Sequence, residues 1–392
     1  MTSLLKEKAE MASFLSGTFH HVDVDRIEKE LLELWQQAGQ DGNDSDEPSV
    51  TRACSITFIL FTRDAAAEKA AGDLLEDVTL KHPCRAILAL ALPSDEESLE
   101  AWVTARCRMI PGKKDKQICC EQITVRWQGQ GTRNLASVVS PLQLVDLPTW
   151  LWWQEPEANK EMLGPFLPFV ERLIVDTSFM DEKPSRLFDL RDVFNRMKIG
   201  GALFDLNWRR LLPWRQAIAR AFEESLGILS LEELDLISAV TVGVAQPTGG
   251  DSKTYSTQAL LLVSWLASRL SWKVLSVKKN AESEIDIVFQ WSRKKIEVSL
   301  RSVPLDNVKP GTVCFFAADF VGKTKSLVVM QKEGCPGLEV ELLEKTEVHE
   351  TLCMADKAAA ELVVDVLDSP ITGEIYAELL DLACELAGNL KQ

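Results

Sequence analysis

The chain reads as α/β: an N-terminal α/β domain with a mostly parallel sheet, followed by an α+β C-terminal domain with an antiparallel sheet and helices. Three observations predict this. Apolar, strand-like runs at 52–62 (RACSITFILFT) and 85–92 flank a helical pattern at 64–76, the alternation of strands joined by helical crossovers. In the second half, Ile285, Ile287, Phe289 and Trp291 alternate with polar residues, and after Ser292-Arg293-Lys294 so do Ile296, Val298 and Leu300. That pattern is a hairpin with one buried face and one wet face. Finally, 392 residues that are 46% hydrophobic and 26% charged suit two or three globular domains, with core enough to dispense with disulfides or metal.

In chain order, Ile27, Leu31, Leu32, Leu34 and Trp35 form a helical stripe, and the acidic, turn-rich QDGNDSDEPS (40–49) reads as a linker. After the first strand, helix and strand come further strands at 101–110 and 118–127. PLQLVDLPTWLWWQEP then changes the texture to Pro and Trp. A short strand fits 172–176. Leu187, Leu190, Val193, Phe194 and Met197 stripe a helix that Gly200 and Gly201 stop. Pro213 starts another helix, where its missing N–H costs nothing, with Trp214, Ala217, Ile218, Ala221 and Phe222 on one face. A boundary is expected near Gly227, giving a helix and linker (1–49), an α/β domain (50–227) and an α+β domain (228–392). In the last domain, strands fit 235–245, 312–318, 325–331 and 337–343. A core helix fits 257–272, and two helices, at 353–368 and 371–389, close the chain.

The net charge of −16 argues against general nucleic-acid binding, which needs a basic surface. No apolar stretch approaches a membrane span, and no secretory leader is evident at the start, so a cytoplasmic location is expected. Nine Cys, an odd number, fit reduced thiols better than a disulfide framework. With four His, no HExxH and no CxxC pair, neither a metal site nor a cofactor is expected. No GxSxG elbow or GxGxxG turn is present. Gly322-Lys323-Thr324 imitates a Walker loop, but Ala317 stands where its first glycine belongs. PTGGDSKTYS (247–256) could offer backbone N–H groups to a phosphate; a plain capped helix start, at Thr254, Ser256 or Thr257, is the favoured reading.

A Trp/Arg cluster is more informative. Five of eleven Trp (Trp150, Trp152, Trp153, Trp208 and Trp214) lie within 65 residues. From Lys183 to Arg220 nine basic residues face only Asp189, Asp192 and Asp205. Trp and Arg are the types enriched at interface hot spots, although core burial and solvated helix faces use them too. In DLNWRRLLPWRQ, Arg209 and Arg210 precede a helix start. They suit a carboxylate, a phosphate or an acidic partner patch, or an internal pair with Asp205. Cys119-Cys120 is the one adjacent thiol pair, a redox candidate if one side chain is exposed and two packed thiols otherwise.

In order, ICCEQITVRWQGQ, PLQLVDLPTWLWW, VDTSFM, SRLFDLRDVF and ALFDLNWRRLLPWRQAIARAF resemble the glucose-6-phosphate dehydrogenase assembly protein family, OpcA. The resemblance is strongest from Ile118 to Phe222 and weaker through TYSTQALLLVSWLASRLSW. It implies a non-catalytic partner that supports the active oligomer of glucose-6-phosphate dehydrogenase and activates it, feeding the oxidative pentose phosphate pathway and NADPH supply. It also implies thiol-dependent regulation linked to thioredoxin. The partner-binding residues expected on that basis are Trp150, Trp152, Trp153, Arg186, Arg191, Asp205, Asn207, Trp208, Arg209, Arg210, Trp214 and Arg215. The competing expectation is a sugar-phosphate-binding α/β enzyme that uses the Lys183–Arg220 island as its phosphate site; a redox adaptor working by thiol exchange is a third.

Overall fold

A computed structural model describes residues 20–22, 26–33, 49–52, 54–66, 68–109, 116–130, 133–158, 160–181, 183, 185–197, 200–223, 225, 228–248, 256–280, 284–306, 308–322, 325–331, 337–343, 347–353, 357–368 and 374–390. The linker expected at 40–49 lies outside them but for Ser49. Helices occupy 27–33 (α1), Glu68–Lys81 (α2), Arg133–Val139 (α3), Arg186–Phe194 (α4), Leu206–Arg210 (α5), Leu212–Arg220 (α6), Thr257–Arg269 (α7), Ala359–Asp368 (α8) and Glu374–Asn389 (α9).

The chain divides into two compact units. The first comprises 1–175, 193–203 and 359–370, the second 176–192, 204–358 and 371–392. The change expected near Gly227 falls within the span of the second unit.

The first unit is built on a nine-stranded sheet. Its strands are His20–Val22 (β1), Ser49–Arg52 (β2), Ile56–Thr62 (β3), Cys84–Leu92 (β4), Ser98–Met109 (β5), Lys116–Gln128 (β6), Thr149–Trp153 (β7), Arg172–Val175 (β8) and Ala202–Asp205 (β9), which runs on into the second unit. The order is β1-β5-β6-β4-β3-β7-β8-β9, with β2 also on β6. The pairs β2–β6, β3–β4, β4–β6, β3–β7 and β7–β8 are parallel; β1–β5 and β5–β6 are antiparallel. The expected mostly parallel sheet is therefore present. Taken in chain order, β3, β4, β6, β7, β8 and β9 lie in the spatial sequence 3-2-1-4-5-6, the doubly wound order. Parallel strands covered on both faces read as continuous apolar runs, and β3 and β4 are buried almost throughout for that reason.

One segment departs from the expected pattern. TWLWW is strand β7, buried at all five positions beside β3 in mid-sheet. Tryptophan suits this position, because a ring can cover a sheet face. Trp153 stacks on Phe61 at 4.0 Å and meets Phe166 edge-on at 6.0 Å, and its indole N–H donates to the Glu157 carbonyl. Strands β1, β2, β9, Lys273–Lys279 (β11) and Glu347–Cys353 (β17) also fall where the sequence pattern predicts none or almost none; the last takes the first residue of the helix expected at 353–368.

The second unit holds Ile237–Gln246 (β10), Lys273–Lys279 (β11), Ile285–Trp291 (β12), Lys294–Pro304 (β13), Val313–Phe320 (β14), Ser326–Gln331 (β15), Gly337–Leu342 (β16) and β17, in the order β11-β12-β13-β10-β14-β15-β16-β17. All neighbours are antiparallel except β10–β13, which is parallel. The hairpin expected at 285–300 is β12–β13, turning through Ser292 at φ 52°. Helix α7 is buried on nearly every side, as its composition requires, and packs against α9.

Trp153→Ala removes an indole that is 0% exposed in the first unit. Urea unfolding of this variant is expected to show a loss of about 3–5 kcal/mol; a loss below 1 kcal/mol would mean that the aromatic stack is dispensable.

Candidate functional site

Two regions merit chemical scrutiny. The first is the switch point of the doubly wound sheet, where β3 and β7 end side by side and such sheets bind ligands beyond their carboxyl ends. In dinucleotide-binding sheets a glycine turn after the first strand leaves backbone N–H groups, at a helix N-terminus, for a pyrophosphate. Here the turn is Arg63-Asp64-Ala65-Ala66, without glycine. The Asp64 carboxylate accepts the Ala66 N–H at 2.8 Å, and α2 opens with Glu68. Across the switch point, Glu155 accepts the Arg63 N–H at 2.7 Å, and burial raises the pKa of this carboxyl. The chain's own carboxylates thus accept two backbone N–H groups, those of Ala66 and Arg63, at the place where such sheets bind phosphate.

The second region is the α5–α6 elbow of the second unit, where the Trp/Arg segment lies. Asp205 ends β9 and caps α5: its Oδ1 accepts the N–H groups of Asn207 (2.9 Å) and Thr177 (3.0 Å). Its Oδ2 accepts the Thr177 hydroxyl (2.7 Å) and the Tyr376 hydroxyl of α9 (2.9 Å). Asn207 donates to Thr177 Oγ1, and its Oδ1 accepts from Gln258 Nε2 of α7 at 3.0 Å. Gln258 Oε1 in turn accepts the Val313 N–H of β14. Directly and through Asn207 and Gln258, this buried carboxylate ties one turn, three helices (α5, α7 and α9) and a strand together.

Arg210 does not pair with Asp205. It grips the buried Asp176 in a two-pronged pair at 2.8 and 2.7 Å. Burial pulls the Asp176 carboxyl upward, but the guanidinium outweighs it and holds the pKa below the usual range. Arg210→Ala would leave a buried charge without its counter-ion, a change that typically costs 3–5 kcal/mol, so this residue cannot probe an interface cleanly. Asp181 accepts the Thr257 N–H at 2.8 Å, and Ser256 caps α7 through the Ala259 N–H. The capped-start reading of this helix is correct, with Ser256 as the cap; the loop 249–255 before it lies outside the described residues.

Six of the twelve expected partner-binding residues are interior: Trp150, Trp152, Trp153, Asp205, Asn207 and Trp214 are at most 5% exposed. They can support a surface but not touch a partner, because core and interface select the same bulky or multiply bonded side chains. The other six are half-buried. Arg186 donates to the Phe179 carbonyl, and Arg191 lies 3.7 Å from Asp192 and over the Phe188 ring. Trp208, Arg209 and Arg215 meet at the elbow, with the Arg215 guanidinium 3.4 Å from the Trp208 ring centroid. Burial, then the adjacent Arg209 charge, lowers the Arg215 pKa to about 9. Asp176, Thr177, Gln258 and Tyr376 were not singled out in the sequence; the Asp-Thr-Ser turn at 176–178 is the one local signal for this hub.

The thiols divide. Burial pushes Cys314 to about 11 and Cys384 to about 12, so both are poor nucleophiles at neutral pH. Cys119 and Cys120 are strand residues registered with Cys107 and Arg106, and their side chains lie outside the described ones. Among the described residues no group of His, Cys, Asp and Glu could hold a metal ion, and no helix is long and apolar enough to cross a membrane.

Asp205 yields a pH test. Burial, then the Asp176 charge, raises its pKa from 3.8 to about 6. A carboxyl with a raised folded pKa binds more protons folded than unfolded across that interval, so its contribution to stability falls as pH rises from 4 to 6. A shift of about two units corresponds to roughly 3 kcal/mol as an upper bound. Relative to Asp205→Asn, the wild type is expected to gain about 1 kcal/mol in urea unfolding between pH 7 and pH 5, the rest of that bound coming only at lower pH. A difference that does not change with pH would place this carboxyl at its ordinary value.

Comparison with known proteins gives the family. Residues 75–192 match the model of the glucose-6-phosphate dehydrogenase subunit N-terminal domain, OpcA type, and residues 201–380 match the corresponding C-terminal domain. A Nostoc punctiforme protein, provisionally named OxPP cycle protein OpcA, is 25% identical over 73% of this chain and 75% of its own length. Its namesake in Synechocystis is 28% identical over 55% of this chain and 43% of its own, and that in Synechococcus elongatus 25% identical over 68% and 60%. The chain thus spans less than two thirds of the latter two. Among solved structures, a glucose-6-phosphate 1-dehydrogenase from Mycobacterium avium aligns at TM-score 0.48 and 11% identity over 86% of this chain and 91% of that one. A dehydrogenase from Clostridium difficile aligns at 0.44 and 12% over 85% and 97%. These likenesses are too distant to carry functional weight. With both domain models matched in order over most of its length, the chain belongs to the OpcA family of glucose-6-phosphate dehydrogenase assembly proteins.

Proposed function

We propose that this protein is a non-catalytic assembly factor and allosteric activator of glucose-6-phosphate dehydrogenase, acting in the cytoplasm. It binds the dehydrogenase and stabilises its active conformation, and so promotes the oxidative pentose phosphate pathway and NADPH supply. The observation that supports the non-catalytic reading best is the occupied switch point: Asp64 and Glu155 take up backbone donors where a dinucleotide enzyme of this strand order keeps them for phosphate. The enzyme alternative needs the Lys183–Arg220 island as a phosphate site. Arg210 is committed to Asp176, and Arg186 to the Phe179 carbonyl, which argues against it.

Activation requires tighter binding to the active state of the dehydrogenase than to the inactive one. Redox control, with thioredoxin as reductant, is the finer part of this reading. It rests on Cys119 and Cys120 of β6 rather than on the buried Cys314 and Cys384.

The test mixes the chain with glucose-6-phosphate dehydrogenase from the same organism, oxidised and reduced. Expected are co-elution on size exclusion and a coupling of about 1–3 kcal/mol, seen as a roughly 5–150-fold rise in substrate affinity. No complex and no change of rate in either thiol state would end this reading. Turnover of glucose 6-phosphate by the chain alone would replace it with the enzyme.

A further inference from the structure

The elbow leaves one cation without a counter-ion. Arg215 lies on the Trp208 ring, and among the described residues no carboxylate pairs with it. Its Nε is buried with no hydrogen-bond partner, and its Nη2 makes one long contact, 3.4 Å to the Trp208 carbonyl. A guanidinium has five N–H donors in a planar fork. Ring stacking fixes the plane of this one, and its terminal edge is left almost unused. The charge of Arg209 lies close enough to be felt at Arg215, which strengthens the positive field there. The contrast with Arg210, which has both prongs on Asp176, shows that the same short stretch can satisfy a guanidinium internally.

We propose that Arg215, laid on Trp208 beside Arg209, is the receptor for a carboxylate of an acidic surface on the partner protein. This rests on the assembly-factor reading and names the chemistry of its contact. A protein carboxylate suits the site better than a free small anion. Trp208 and Arg215 are both half-buried, so the pair is neither fully exposed nor sealed off, and the chain's net charge of −16 disfavours small anions near its surface. A partner offsets that repulsion with the rest of its contact area, and an Arg on a Trp is the usual make-up of a binding hot spot. A planar carboxylate meets the outer edge of the fork in a two-bonded pair.

The test uses Arg215→Met in the full-length chain, which keeps an aliphatic stem on the ring, and Arg215→Lys, which keeps charge but not the fork. Binding to the dehydrogenase is measured by calorimetry at low and moderate salt. The Met variant is expected to bind about 10–100-fold more weakly with a shallower salt dependence, and the Lys variant to fall between. The melting temperature of the free Met variant is expected not to fall. Unchanged affinity overturns the proposal, and so does weaker binding with an equal loss of thermal stability, which would make Arg215 scaffold.

Should the wild type not bind the dehydrogenase at all, the assembly-factor reading fails separately. Citrate titration of the free chain then decides the site. A rise in melting temperature that requires Arg215 sustains a carboxylate receptor, and no such rise refutes it. Protection by inorganic phosphate alone, with the complex untouched by Arg215→Met, identifies a small-anion site and overturns the partner assignment.

Discussion

The buried carboxylate of Asp205 constrains the second unit more than any other single group. An ionised carboxylate only accepts, and four donors converge on this one: two backbone N–H groups and the hydroxyls of Thr177 and Tyr376. An asparagine there would turn one oxygen into a donor facing two hydroxyls. The desolvation that Asp205 suffers is offset by making the start of α5 a fixed point. From it Asn207 reaches Gln258 and, through it, the backbone of β14. The α5 residues follow in order: Trp208 beside Tyr376, Arg209 next to Arg215, and Arg210 onto Asp176. A partly satisfied network at this depth would be costlier than an apolar core, which is why nearly every member answers to another.

The first unit carries a different tension. Its strand order is the one that elsewhere opens a crevice for dinucleotides, yet one carboxylate in the turn after β3, Asp64, and one after β7, Glu155, carry the same sign as the phosphates such a crevice would receive. A scaffold outlasts the chemistry grafted onto it, so strand order alone assigns no reaction. What decides is the local balance of charge. Asp64 satisfies the N–H of Ala66, and Glu155 satisfies that of Arg63. A ligand phosphate would have to displace one carboxylate and lie beside the other.

Much of this architecture was legible in the sequence. The alternation at 285–300, the solid apolar run of β4 and the all-round apolar α7 follow from how strands and helices bury their faces. TWLWW was not legible as a strand. The Pro- and Trp-rich texture there set no period, and three indoles in five residues fit an interface as well as a core; a central strand with both faces covered accepts them. The short β9 and the edge strand β17 were missed because four to seven residues of mixed polarity carry little periodicity. The elbow was half legible. The Trp/Arg cluster was visible, but which arginine turns inward depends on Asp176, 34 residues upstream, and no local pattern reports that pairing.

Composition thus located the segment but could not sort it, because a core and a binding surface make the same demands on Trp and Arg. Burial does the sorting. Trp150, Trp152, Trp153 and Trp214 are removed from contact, and Arg210 is taken by its own carboxylate. Trp208, Arg209 and Arg215 remain as a small basic patch on a strongly acidic protein. The sign of that patch matters beyond its size. Repulsion between a chain carrying −16 and an acidic surface is largely screened beyond the Debye length, about 8–10 Å near physiological salt, and at closer approach local charge prevails over net charge. An acidic partner is then held off except where it meets the elbow. Such an arrangement makes orientation, rather than total attraction, the quantity that distinguishes a productive encounter from a chance one.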